Sequence, residues 1–144
     1  MTEIRIELLE PGLDPTRLHA SDACYDLRSR IDTVVFVGTV AVIPCGFKMA
    51  LPSGWEAQIR SRSGLAAKKQ VFILNSPGTV DASFRGEICA ILMNWGDHPF
   101  EIKRGDRIAQ MGFRQLPEVA ITCVASIDMS TDRGEAGFGS TGVK

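Results

Sequence analysis

The segment Arg60-Ser61-Arg62-Ser63-Gly64-Leu65 places guanidinium groups and a hydroxyl immediately before Gly64 to Lys69, the one stretch of helical composition in the chain. Unpaired N–H groups and the helix dipole favour an anion at such a start, and phosphate would suit it. On these residues alone a second reading stands level with the first: Ser63 caps the helix while the arginines lie in solvent. In Asn75-Ser76-Pro77-Gly78-Thr79-Val80-Asp81-Ala82-Ser83-Phe84-Arg85-Gly86-Glu87 a strand runs into a Pro-Gly turn and returns past an Asp and an aromatic ring, the pattern of a hairpin with a pocket. Asp81 could take a proton from water or orient it, if neighbouring phosphates were neutralised enough for attack; taken alone, an ordinary turn Asp bonding its own backbone is the commoner case. Arg104-Gly105-Asp106-Arg107-Ile108-Ala109-Gln110-Met111 reads as a turn entering a strand, with Gln110 a neutral donor beside an anion. The stretch from Asp132 to Gly142 is glycine-rich, with one Arg and one Phe among the glycines. It has the look of a phosphate loop, but no Gly-Lys-Ser/Thr follows, which excludes a Walker-type site. His19 and His98 lie far apart and outside any hydrolase motif, as ordinary surface residues do.

These residues need a scaffold, and its period is that of strands. Ile4, Ile6 and Leu8 alternate with Arg5 and Glu7, and Trp55, Ala57 and Ile59 with Glu56, Gln58 and Arg60, as in half-buried strands. Val40 to Ile43, Val71 to Leu74, Arg107 to Phe113 and Ile121 to Val124 read likewise. Ile88 to Met93 is apolar at both parities, so both of its faces are expected to be buried, one of them against another subunit. Fourteen Gly and seven Pro punctuate the chain at short intervals, which favours many short strands. The expectation is all-β, a jelly-roll-like sandwich or barrel with one short helix. Residues 1–131 form the body, and residues 132–144 form a glycine-rich mobile arm or, on the plainer reading, a disordered terminus.

Bulk properties exclude several classes. A chain of 144 residues suits one domain. Sixteen Lys plus Arg against seventeen Asp plus Glu give a net charge of −1, with no basic run for a nucleic-acid backbone to follow. No stretch approaches the ~20 apolar residues of a membrane span. The start enters an alternating pattern without the regions of a secretory signal, which points to the cytoplasm. Cys24, Cys45, Cys89 and Cys123 form no Cys-x-x-Cys pair, and four free thiols are expected.

Five ordered segments together are more specific than any one. Ala23-Cys24-Tyr25-Asp26-Leu27, Arg62-Ser63-Gly64-Leu65-Ala66, Gly78-Thr79-Val80-Asp81 with Phe84-Arg85-Gly86-Glu87, Gly105-Asp106-Arg107-Ile108-Ala109-Gln110 and Arg133-Gly134 through Gly142 closely resemble the motifs of trimeric dUTP pyrophosphatases, in order and spacing across nearly the whole chain. The resemblance implies a jelly-roll homotrimer that hydrolyses dUTP to dUMP and pyrophosphate at sites shared between subunits, limiting uracil in DNA and supplying dUMP for dTMP synthesis. It implies that Asp81 activates the water attacking the α-phosphorus and contacts the sugar 3′-hydroxyl. Arg62, Ser63, Gly64 and Gln110 would hold phosphates, and Mg²⁺ would bridge them, with Asp26 reached through water. Uracil would be read largely by the backbone of the Asn75 to Asp81 hairpin, Gly78, Thr79 and Val80 included, with Asn75 assisting. Phe84 would face the deoxyribose, Phe138 would stack on uracil, Arg133 with Ser140 and Thr141 would close over the γ-phosphate, and Gly139 would belong to the same substrate-binding arm.

The departures are few. Phe84 stands where Tyr is common, Cys24 and Ala136 where Gly is common, and Ser61 where Pro is common; Cys24 puts the backbone near Asp26 in question. A dCTP deaminase shares the fold and the Gly-x-Val-Asp pattern, but its Glu base belongs to a different local motif. A retired trimer serving as a nucleotide-responsive binding module would be expected to have lost Asp81, Arg62 or the arm, and all are present.

Overall fold

The period-2 pattern of Trp55 to Arg60 is realised in full: Ala57 and Ile59 point into the core while Glu56, Gln58 and Arg60 line the opposite face. In a computed structural model describing residues 2–137, eleven strands and one helix follow in order. They are β1 Arg5–Leu8, β2 Tyr25–Arg28, β3 Thr33–Val35, β4 Val40–Pro44, β5 Phe47–Ala50, β6 Trp55–Arg60, α1 Ser63–Lys69, β7 Val71–Ile73, β8 Gly78–Asp81, β9 Cys89–Asn94, β10 Phe100–Ile102 and β11 Arg107–Gln115.

The strands pair antiparallel in four sheets, a four-stranded one ordered β2-β11-β6-β8, a three-stranded one ordered β4-β9-β7, and the pairs β1-β5 and β3-β10. The architecture is the expected jelly-roll-like sandwich. Its core is shared between the layers: Leu27, Ala57, Ala109 and Met111 from the four-stranded sheet meet Ile43, Ile73, Ala90 and Leu92 from the three-stranded one, with Phe47 between. All four cysteines are free, as expected. No helix among the described residues is long and apolar enough to cross a membrane.

Three expectations are corrected. Asn75 to Asp81 is not a hydrogen-bonded hairpin: β7 pairs with β9 and β8 with β6, so residues 74–77 carry the chain from one sheet to the other. Ile121 to Val124 forms no strand, because beyond Pro117 the chain runs over exposed ground with no partner strand beside it. Within the single chain, Ile88, Ala90 and Leu92 of the expected two-faced run are inside, while on the other face Met93 is buried and Cys89 and Ile91 are half-buried. Strand β1 pairs only with β5, and all four of its residues are exposed, Ile6 and Leu8 included.

Candidate active site

The corrected path of residues 74–77 makes the cleft. The chain leaves β7 in one sheet and enters β8 in the other. Gly78, Thr79, Val80 and Asp81 then form one wall of a cavity of about 310 Å³. Its floor is apolar, from Val42, Ile59, Ile88 and Ile91, and the few polar groups around it are Asn75, Asp81, Glu87 and the Cys89 thiol. Such a balance suits a flat ring recognised by a small number of polar contacts. Strand β8 ends its sheet, so backbone N–H and C=O groups on its far side face the cleft instead of another strand.

Side chains around β8 are fixed by close approach. Gly78 lets the Asn75 amide lie against it, since a methyl group there would sit 3.1 Å from Nδ2. Phe84 is exposed at the cleft mouth, its N–H donating to the Asp81 carbonyl at 3.1 Å. Glu87 is anchored at both oxygens: Oε1 accepts the Gly46 N–H at 2.8 Å and Oε2 accepts from Arg30 at 3.0 Å. Burial, then the nearby Glu87 carboxylate, pushes the Cys89 thiol above its ordinary pKa; Cys45 behind it is pushed up to about 12, chiefly by burial.

Arg62, Asp26 and Gln110 assemble elsewhere. Arg62 Nε meets Asp26 Oδ1 at 3.2 Å, Arg107 Nη1 meets Oδ2 at 3.1 Å, and Arg62 Nη1 donates to the Arg107 carbonyl at 2.7 Å. Two guanidiniums against one carboxylate leave the cluster one positive charge in excess, which a phosphate can take up. Gln110 Nε2 donates to the Ser61 carbonyl at 2.8 Å, and the Ser61 hydroxyl accepts the Ile73 N–H at 2.9 Å, so the loop before α1 is tied to β11 and β7. A proline at 61 would lack that second tie. Helix α1 begins after Arg62 with no side-chain cap, so Ser63 is its first residue and not its cap. Cys24 lies outside the left-handed region, where Gln70 is the one non-glycine among the described residues; its thiol rests near Gly112, and the backbone beside Asp26 does not require a glycine.

The chain does not bring its two groups together. Asp81 lies opposite Glu56 and Gln110 opposite Arg60, on either side of β6. Four residues along a strand and two strand spacings across it put Asp81 and Gln110 about 16 Å apart. Arg133 sits in a separate short turn, its Nε donating to the Ala136 carbonyl at 2.8 Å. Phe138, Gly139, Ser140 and Thr141 lie outside the described residues.

Sequence reasoning missed Arg107 as the second cation on Asp26, and Val42, Ile59 and Ile91 as the cleft floor. The signal for Arg107 was its place three residues before Gln110; the floor needs the two sheets together and had no local signal.

A jelly-roll body with an apolar-floored cleft at a sheet edge and a separate arginine cluster offers places for a ring and for an anion, the two parts of a nucleotide. The dUTPase family model matches residues 10–142. A deoxyuridine 5′-triphosphate nucleotidohydrolase of Caulobacter vibrioides is 45% identical, with 97% of this chain and 94% of that protein covered. Among solved structures, a tyrosine-to-phenylalanine mutant of the Staphylococcus bacteriophage 80alpha dUTPase with dUpNHpp superposes at a TM-score of 0.90 and 26% identity, covering 99% of this chain and all of that one. A mutant dUTPase from phage phi11 of S. aureus, described for its structural Mg(II) ion, matches at a TM-score of 0.78 and 22% identity, over 86% of this chain and 97% of that one. The chain belongs to the dUTPase family.

Proposed function

We propose that the chain hydrolyses dUTP to dUMP and pyrophosphate as a magnesium-dependent homotrimer whose sites are shared between subunits. The observation that carries the reading is Asp81 at the mouth of a cleft with an apolar floor, flanked by Asn75 and Phe84. Uracil enters the cleft and is read by the outward backbone groups of Gly78, Thr79 and Val80 with the Asn75 amide. Cytosine reverses the donor and acceptor pattern and leaves buried groups unpaired, and the thymine methyl is excluded sterically. The Phe84 ring faces the deoxyribose. Asp81 takes a proton from the water that attacks the α-phosphorus.

Attack on a highly charged triphosphate needs its charge offset first. Arg62 with Ser63 and Gly64, supported by Gln110, binds phosphates, while Arg133, Ser140 and Thr141 of the arm (residues 132–144), with Gly139 beside them, close over the γ-phosphate as Phe138 stacks on the base. Since Asp81 and Gln110 of one chain stand about 16 Å apart, the phosphate-binding group must come from a second copy. The outer face of the β4-β9-β7 sheet supports association beside the cleft, because Val40 and Leu74 are exposed there next to half-buried Phe72.

The donor set around Asp26 is too sparse to cage a magnesium ion by itself. Asp26 offers one carboxylate, already bracketed by two arginines, and no group of three potential ligands occurs among the described residues. These residues fit an ion that arrives on the triphosphate, with Asp26 accepting hydrogen bonds from its waters. When bound, the ion would neutralise phosphate charge.

The test is pyrophosphate release from dUTP, dTTP, dCTP and UTP, with and without Mg²⁺. Release confined to dUTP and dependent on Mg²⁺ is expected; ammonia from dCTP, or equal turnover of dTTP, would overturn the reading.

A further inference from the structure

Phe84 is tethered at its backbone, yet nothing covalent fixes where its ring lies. The turn beneath it is stapled twice: its N–H donates to the Asp81 carbonyl, and Arg85 Nη1 donates to the carbonyls of Ala82 and Phe84 at 2.6 and 2.7 Å. On the far side, Glu87 is held by the Gly46 N–H and by Arg30. Between these anchors lies Gly86, against which the ring rests. A methyl group in place of the Gly86 hydrogen would lie 2.6 Å from Phe84 Cζ, 3.0 Å from Cε2 and 3.3 Å from Cε1. These nearest atoms are all at the far end of one ring. Gly86 also lies outside the left-handed region, so its backbone does not itself demand a glycine.

We propose that Gly86 is a positioning residue for sugar selection: its missing side chain is the floor that sets the Phe84 ring at the height where its face closes on C2′ of a deoxyribose and leaves no room for a 2′-hydroxyl. The proposal rests on the reading that Phe84 faces the sugar. Carbon atoms settle at about 3.5–4.0 Å, so a methyl on Gly86 must drive the ring roughly 1 Å away. The ring can swing, so the displacement is absorbed at the cleft mouth and not by the core.

The experiment is a double-mutant cycle on the ratio of kcat/KM for dUTP to that for UTP, using Gly86→Ala, Phe84→Ala and the pair, with thermal unfolding followed for each. Gly86→Ala should narrow the ratio by roughly tenfold in the presence of Phe84 and by less than about twofold in its absence, because its effect passes through the ring. A ratio unmoved by Gly86→Ala, or moved equally in both backgrounds, overturns the proposal. A ratio unmoved by Phe84→Ala instead removes the sugar role of Phe84 itself. If Gly86→Ala proves unstable, deleting the ring should restore the melting temperature; a double variant that stays unstable places the clash in the backbone and overturns the proposal as well.

Discussion

The cleft around Asp81 and the cluster around Asp26 are built on the same four-stranded sheet by opposite means. In the cleft, backbone does the work: an unpaired sheet edge, glycines that let Asn75 and Phe84 lie close, and an apolar floor that keeps polar groups few. In the cluster, long side chains bind one another, two arginines on one carboxylate, and each can trade that partner for a phosphate oxygen. Reading a neutral ring depends on a shape that does not yield, whereas holding a polyanion depends on charge that can be re-paired at little cost. One sheet separates the two by about 16 Å, which is the observation behind the proposal that each site is shared between two copies.

The largest effect should come from the cleft. Asp81→Asn keeps the shape and removes the base, so turnover of dUTP should fall by ~10²–10⁴-fold while melting temperature and oligomer size hold. Near-normal turnover would place the base elsewhere.

The separation itself can be tested by mixing. Asp81→Asn and Arg62→Ala chains should each be nearly inactive alone, yet co-expressed they should recover about one quarter of wild-type activity, because random assembly gives some sites an intact cleft beside an intact cluster. Activity of the mixture no greater than that of the parents would mean that one chain builds a whole site.

A smaller loss should follow removal of the residues after Thr131. No described strand is deleted, so the assembly should persist and nucleotide should still bind more weakly, while kcat falls by on the order of 10²-fold, since contacts made in the closed state lower kcat and kcat/KM together. Full-rate turnover by the truncated chain would make this segment a bystander.

How much of this was legible in the sequence follows the same division. Alternation gave β6 to the residue, because Ala57 and Ile59 are buried under the core while Glu56, Gln58 and Arg60 are only half-buried on the other face; β11 was located although Ile108 and Ala109, and again Met111 and Gly112, are buried in succession past an irregularity in its pairing. It misled at β1 and at Ile121 to Val124, where the apolar residues alternate but no neighbouring layer of this chain covers them. Motifs placed Asp81, Asn75 and Phe84 around one cleft, since they sit within ten residues of one another. What they could not show is that residues 74–77 change sheets, for a Pro-Gly turn reads alike in a hairpin and in a crossover. The pairing of Asp26 with Arg107 crosses two strands whose neighbourhood only the folded register reveals.

Thiol labelling offers the finest probe of the comparison, because the cleft contains a cysteine and the cluster's own ion pairs do not. Cys89 lines the cavity with its pKa raised by burial and by Glu87, and Cys45 lies behind it, pushed up to about 12. Exposed Cys123 should therefore be alkylated first and Cys89 slowly, more quickly as rising pH generates thiolate, while Cys45 should react only on unfolding. Both thiols, Cys45 buried and Cys89 half-buried, keep in the folded state a proton that the unfolded chain loses near its ordinary value of 9.0, so their contribution to stability is complete below that pH. It declines as pH rises from there towards about 12, which confines labelling of the folded protein to the lower part of that window. Within it, dUMP should slow the modification of Cys89 several-fold if its base fills the cleft as proposed, and pyrophosphate should leave it unchanged if it binds at the arginines. Equal protection by both ligands, read by mass spectrometry of the labelled peptides, would mean that base and phosphate share one continuous pocket and that the division between cleft and cluster is wrong.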